Sequence, residues 1–214
     1  MYSADAYKAI IFDFGGVVIN IDYNRPVQAF MRLGMVDFSS FFSKSTQNTT
    51  SDLFETGQMD ADSFFKTILP HCTPGTTLEL VREAWNSILL DLPLHRLEFL
   101  EKLRHCVPIA LLSNTNATHI DQINQTVLPA YGASDMSPWF DHLFYSYELG
   151  LRKPDEAIFL HALSKLNCKP HEVLFLDDSV QHIEAANRLG IQTHHVKDGE
   201  EIAQLITFPA AFPN

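Results

Sequence analysis

Leu174-Phe175-Leu176-Asp177-Asp178-Ser179 is an apolar run that stops on two adjacent carboxylates. Such a run fits a strand buried on both faces, here Glu172 to Asp177. Two neighbouring acids at its tip repel each other and lose hydration, and a bound cation is the natural compensation. A helix cap accounts for one of them but not readily for both. A helical pattern follows from Val180 to Leu189, with Gly190 placed to terminate it.

Four more short runs rich in β-branched or aromatic residues read as parallel strands: Lys8 to Phe14, Val107 to Asn114, His142 to Ser146 and Gln192 to Val196. Most precede a helical pattern. One such helix is expected to open with Pro154 at its first position, to carry a stripe of Ile158, Phe159, Ala162, Leu163 and Leu166, and to close at Cys168-Lys169-Pro170. The alternation predicts a Rossmann-like, doubly wound α/β fold with five parallel strands.

Between the first two strands, about Asn20 to His105, only helix signals occur, far more than one crossover needs. Pro26 follows Asn24 at a helix start and Gly34 ends that helix. Phe38, Phe41 and Phe42 mark a second stretch and Asp60 to Leu69 a third. Thr76-x-x-Glu79 reads as the capping box of a fourth, and Leu94 to Arg104 returns to the sheet. The expected division is an α/β core of residues 1–19 and 98–214 with a helical cap of residues 20–97 over the strand ends. Phe38, Phe41, Phe42, Phe54, Phe64, Phe65 and Trp85 fit the core of that cap better than a substrate platform.

Three further signals fall at strand ends. Ile11-Phe12-Asp13-Phe14-Gly15-Gly16-Val17-Val18 ends a strand on a carboxylate and bends away through glycines, which suits either a turn or a nucleophile. Leu111-Leu112-Ser113-Asn114-Thr115-Asn116 ends on a hydroxyl and amides before a helix, which suits an anion cradle or N-capping by Ser113 or Asn114. In Arg152-Lys153-Pro154-Asp155, Pro154 fixes the chain so that Lys153 can face the strand ends; a surface lysine is the plainer alternative.

Taken in order, Asp13, Ser113, Lys153 and Asp177-Asp178 resemble the four motifs of the haloacid dehalogenase superfamily across nearly the whole chain, with the helical insertion where that family's first type of cap lies. The resemblance implies that Asp13 attacks phosphorus to form an aspartyl-phosphate that water hydrolyses. It implies magnesium among Asp13, the Gly15 carbonyl, Asp178 and a phosphate oxygen, with Asp177 a direct ligand or one step removed. Ser113, the Asn114 amide and Lys153 would hold charge on the transferring group.

One position departs from the family pattern. Family phosphatases usually carry a second Asp two residues after the nucleophile, to protonate the leaving oxygen and activate water; here it is Gly15. Acid–base catalysis is worth roughly 10²- to 10⁴-fold. The motif resembles a subgroup written Asp-x-Gly-x-Val that includes bacterial hexose 1-phosphate phosphatases, whose leaving hydroxyl is more acidic. A non-catalytic binder of phosphate compounds is the alternative. Family dehalogenases carry an aromatic residue there and bind a carboxylate without magnesium, which Gly15 and the acid pair argue against. Phospho-accepting receivers place the acid pair first, and here it is last. Asp22 is a further proton-donor candidate, although Asn20-x-Asp22-x-Asn24 equally suits a helix-entry turn.

Composition narrows the partners. Fifteen Lys and Arg against 26 Asp and Glu give a net charge of −11, which repels nucleic acid. Cys72, Cys106 and Cys168 are distant and odd in number, so reduced thiols are expected. No H-x-x-x-H pair suggests zinc, no apolar run reaches the roughly 18 residues of a membrane span, and no leader pattern is evident. The expectation is a cytoplasmic monomer or weak dimer acting on a small phosphorylated metabolite.

Overall fold

The computed structural model describes residues 1–35, 37, 38 and 49–209. Phe41 and Phe42, assigned to the cap from sequence, lie outside the described residues. A five-stranded parallel sheet is built from β2 (Ala9–Phe12), β3 (Ile109–Ser113), β4 (His142–Tyr145), β5 (Val173–Asp177) and β6 (Gln192–His195), in the order β4-β3-β2-β5-β6. These are the five expected strands. A two-residue parallel pair, β1 (Tyr2–Ser3) with β7 (Ile206–Thr207), was not expected, because two residues carry no periodicity to read.

Strand alternation explains the apolar runs. Ile10, Phe12, Ile109, Leu111, Leu174 and Leu176 belong to one buried cluster, while Ala9, Ile11, Ala110, Leu112, Val173 and Phe175 belong to another. The first also contains Leu97, Phe99, Leu100 and Leu103 of the helix Leu94–Arg104. The second contains Ile158, Phe159, Ala162 and Leu163 of Glu156–Leu166, and Ala185 and Ala186 of Val180–Arg188. Helices therefore cover both faces, and every residue of β2, β3 and β5 is buried.

The inserted segment has its own apolar cluster, in which Phe30, Phe38, Phe54, Phe64, Phe65 and Trp85 pack together, Phe54 stacking on Phe64 at 4.3 Å. Its described helices are α1 (Asn24–Arg32), α2 (Thr49–Glu55), α3 (Ala61–Ile68) and α4 (Leu78–Asn86). The chain enters and leaves through two paired segments: Asn20 N–H donates to the Asp91 carbonyl, Leu90 N–H to Asn20 and Asp22 N–H to Ile88. The helix from Leu94 packs with the sheet instead of the inserted helices.

Three local expectations need correction. The cap of α4 is Thr77, which accepts from Leu80 N–H at 3.3 Å, because the Thr76 hydroxyl is spent on the Thr73 carbonyl at 2.8 Å. Pro154 does not open a helix: the helix starts at Glu156, and Asp155 N–H closes a turn on the Arg152 carbonyl at 3.0 Å. Asn167, in the left-handed region at φ 53°, ends that helix before Cys168. The three cysteines form no disulfide. Among the described residues no helix is long and apolar enough to cross a membrane.

Candidate active site

Parallel pairing of Phe12 with Leu176 on one side and Leu111 on the other brings three strand tips side by side. Asp13 N–H donates to the Leu176 carbonyl at 2.9 Å, which seats Asp13 beside the start of the acid pair. Asp13, Gly15, Ser113, Asn114, Lys153 and Asp178 line one cavity of about 400 Å³. Asp177 is fully buried behind them and reaches the cavity only through its partners.

Lys153 organises this end of the sheet. Its ammonium, with no solvent exposure, lies 2.8 Å from Asp13 Oδ1, 2.7 Å from Asp177 Oδ2 and 2.8 Å from the Leu112 carbonyl. Those three acceptors match the three N–H donors of an ammonium. The lysine backbone is held equally firmly: Asn114 Oδ1 accepts from Lys153 N–H and Asn114 Nδ2 donates to the Lys153 carbonyl, both at 2.8 Å. The surface-lysine alternative is thereby removed.

Ser113 and Asn114 are not helix caps. The next helix, Ala117–Gln122, is capped by Asn116, whose Oδ1 accepts from His119 N–H at 3.1 Å. Any anion cradle at Ser113 and Asn114 is therefore a loop and not a helix end. Thr115 N–H is already bonded to the Ser146 hydroxyl at 2.9 Å. Asp22 accepts from Asn24 N–H at 2.8 Å, the helix-entry role, and does not line the cavity.

Electrostatics separate Asp13 from Asp177. Burial, with the Asp177 and Asp178 charges, pushes Asp13 well above the ordinary carboxylate range against the pull of Lys153. Asp177 is equally buried, yet Lys153 and His182 hold it below that range. Burial works against the Lys153 charge, but Asp13 and Asp177 keep the ammonium above its ordinary value. Asp178 is constrained sterically: a Cβ on Gly16, at φ +77°, would lie 2.5 Å from Asp178 Oδ2. The Asp178 carboxylate thus packs directly against the Gly15-Gly16 turn, and only glycine leaves room for it.

His182 was missed from sequence. Its Nδ1 lies 3.0 and 2.9 Å from the two Asp177 oxygens, and an ionised carboxylate only accepts, so Nδ1 carries the hydrogen. Ser179 N–H donates to Asp177 Oδ1 at 2.7 Å. One ligand atom each from Asp13, Asp177 and His182 falls within 4.8 Å of the others, a grouping able to hold a metal ion. The available signal was a histidine in the first turns of the helix that follows the acid pair. Also missed were the groups contributed from the insertion and its surroundings: Tyr23, Asp52, Glu55, His119 and Arg152 all line the cavity.

Comparison with known proteins agrees with this fold. Residues 7–190 match the family model described as haloacid dehalogenase-like hydrolase. The chain is 32% identical over 200 residues to D-ribitol-5-phosphate phosphatase of Bacteroides thetaiotaomicron, covering 94% of this chain and 97% of that one. It is 25% identical over 207 residues to the sesquiterpene phosphatase astK of Aspergillus oryzae, covering 94% and 97%. The wild-type enzyme bt-2542 of Bacteroides thetaiotaomicron, solved with magnesium and inorganic phosphate, superimposes with a TM-score of 0.83 at 30% identity, over 93% of this chain and 98% of that chain. The strand-tip convergence on Asp13 and the match over most of the sequence lead to one conclusion: the chain belongs to the haloacid dehalogenase-like hydrolase family.

Proposed function

We propose that this protein is a magnesium-dependent phosphomonoester hydrolase acting on a small phosphorylated metabolite of the sugar-phosphate class. The observation that carries the reading is the buried Asp13–Lys153–Asp177 triplet, whose Asp13 and Lys153 line a cavity with Ser113, Asn114 and Asp178. The relatives named above, a pentitol phosphate phosphatase and an enzyme crystallised with magnesium and phosphate, support it.

The donor set fits a divalent cation. Asp13 is pushed above its normal range by burial and two neighbouring acids, an imbalance that one lysine does not neutralise. Asp13, Asp178 and the Gly15 carbonyl are the groups we assign to the ion, all hard oxygen donors. Both oxygens of Asp177 are occupied by Lys153, His182 and Ser179 N–H, so its assigned role is to hold Lys153, one step removed from the ion. Bound magnesium would supply charge neutralisation on the phosphoryl oxygens.

In this reading Asp13 Oδ2 is the nucleophile, because Oδ1 is engaged by Phe14 N–H at 2.7 Å and by Lys153. Its lone pair forms the new P–O bond as the ester P–O bond breaks and the electron pair leaves with the alcohol oxygen. Water then attacks the phosphoaspartate, which releases phosphate and restores the carboxylate. Lys153, Ser113 and the Asn114 amide stabilise charge on the transferring group. Gly15 supplies no proton, so the leaving oxygen takes one from water, which favours esters of acidic hydroxyls. The inserted helices α1 to α4 serve as the cap over this chemistry.

The test is phosphate release from a panel of sugar and polyol phosphates with magnesium or with chelator. Turnover should require the metal and vanish in Asp13→Asn. Turnover that persists in that variant removes Asp13 from the mechanism. Specific phosphate-ester binding without any turnover establishes the non-catalytic alternative that Gly15 favours.

A further inference from the structure

Outside the cavity, one buried guanidinium ties the loop that follows Asp13 to the rest of the core. Arg96 is 7% exposed and does not line the cavity that holds Asp13. Its Nε and Nη2 donate to the two oxygens of Glu201 at 3.0 and 2.9 Å, a fork on the residue that precedes the short helix Ile202–Leu205. Its Nη1 donates to the Val18 carbonyl at 3.3 Å and to Asn20 Oδ1 at 2.9 Å. His95 Nε2 also meets Glu201 Oε2, at 2.9 Å. Segments far apart in the sequence therefore meet at the Arg96 side chain.

What Arg96 grips is a closed loop that begins at the nucleophile. Phe14 N–H donates to Asp13 Oδ1 at 2.7 Å, and the Phe14 carbonyl accepts from Val18 N–H at 2.8 Å and from Ile19 N–H at 2.9 Å. Gly16 N–H donates to the Ile19 carbonyl at 2.8 Å. Residues 13–19 thus form one hydrogen-bonded unit that carries both the Asp13 carboxylate and the Gly15 carbonyl. Phe14, Val17, Val18 and Ile19 belong to one apolar cluster with Leu97 and Leu100 of the helix that carries Arg96. Burial in that cluster has no direction, whereas the two Nη1 bonds do, and they fix where along the helix the loop sits. Asn20 passes the constraint on: its Nδ2 donates to Asp91 Oδ1 at 3.0 Å, across the paired segments that enter and leave the insertion.

We propose that Arg96, held in place by Glu201, is a positioning residue that sets the Asp13–Ile19 loop, and with it the nucleophile and the Gly15 carbonyl, without touching substrate. The inference rests on the phosphatase reading for its kinetic consequence and on the loop geometry alone for the rest. A buried ion pair is often no more stable than apolar residues of similar volume, so stability gives little reason to bury a guanidinium here. Directed bonds to Glu201, Val18 and Asn20 give a better one. A misplacement of about 1 Å at a reacting group can cost about 10²-fold in rate, so a small loop shift is readable in kcat.

The test compares wild type with Arg96→Met, with the double variant Arg96→Met/Glu201→Gln, which removes the stranded carboxylate, and with Asn20→Ala, which keeps the Arg96–Glu201 pair. Each is assayed on p-nitrophenyl phosphate with magnesium, and by amide hydrogen exchange without metal. In both Arg96 variants kcat should fall at least about tenfold while KM stays within about threefold of wild type. Asn20→Ala should move kcat the same way by less. Exchange at Val18 and Ile19 N–H should quicken at least about tenfold relative to Ile10 and Ile109 N–H in the adjoining strands, a ratio that cancels global destabilisation. The double variant should regain melting temperature over Arg96→Met and stay slow. A kcat that returns with the melting temperature, or an unchanged exchange ratio, makes Arg96 merely structural and overturns the inference alone. A wild type that turns over no phosphate ester defeats the phosphatase reading, and the exchange ratio then decides by itself whether Arg96 sets the loop.

Discussion

The Lys153 ammonium lies 2.7 Å from the Asp177 carboxylate with neither side chain exposed to solvent. Breaking a buried pair from one side leaves an uncompensated charge, at a cost of about 3–5 kcal/mol. Lys153→Met strands two acids, Asp13 and Asp177, and should destabilise by at least that amount. Asp177→Asn, which keeps the shape and still accepts from Lys153, should cost less. Urea denaturation of both variants orders them, and a Lys153→Met midpoint equal to wild type contradicts this account of the pair.

Gly16 and Gly15 should respond in opposite ways to an added side chain. At Gly16, alanine combines a left-handed φ of +77° with a Cβ 2.5 Å from Asp178 Oδ2. The expected cost is about 1–2 kcal/mol from the backbone alone, together with weaker magnesium binding as Asp178 is displaced. Titration calorimetry with magnesium and thermal melts measure the two effects, and unaltered magnesium affinity in Gly16→Ala separates Asp178 from the ion.

At Gly15 the atoms nearest to a Cβ all belong to the Ile21 side chain, the tightest being Cδ1 at 3.0 Å, the far end of a flexible side chain. Gly15→Asp should therefore fold and should provide the missing proton donor. On alkyl phosphates, whose leaving oxygens need protonation most, turnover should rise by about 10²-fold or more. No gain in steady-state turnover would show that proton transfer does not limit the rate.

His119 should make the fold sensitive to mild acid. Its ring stacks on Trp85 at 5.5 Å, and burial pushes its pKa down to about 4, with the Trp85 backbone opposing that shift. An unfolded histidine titrates near 6.5. Between the two values the unfolded chain binds a proton that the folded chain refuses, so stability falls as pH drops from about 6.5 to about 4. The full contribution is about 3 kcal/mol. Urea midpoints measured from pH 7.5 to 4 should fall less steeply in His119→Asn, and an unchanged slope rules His119 out as the source.

The five strands and the order of Asp13, Ser113, Lys153 and Asp177-Asp178 are legible because a parallel strand buried on both faces must be apolar throughout. Polar residues at its end then stand out. The cap boundary of α4 at Thr77 and the turn at Pro154 were less legible, since each involves contacts a local pattern does not show: Thr76 bonds the Thr73 carbonyl, and Asn114, about forty residues away, pairs with the Lys153 backbone. The β1–β7 pair is too short to leave a pattern.

What the sequence determined by itself was which side chains end the strands, because the periodicity of burial is written locally. The tertiary structure alone decided which of them meet. The pairing of Phe12 with Leu176 sets Asp13 against Asp177, and the return of the insertion sets Glu55 and Asp52 against Arg152, which lies about a hundred residues away along the chain. Pairings over such separations depend on register and packing of the whole sheet and its inserted helices, and no local pattern of residues encodes them.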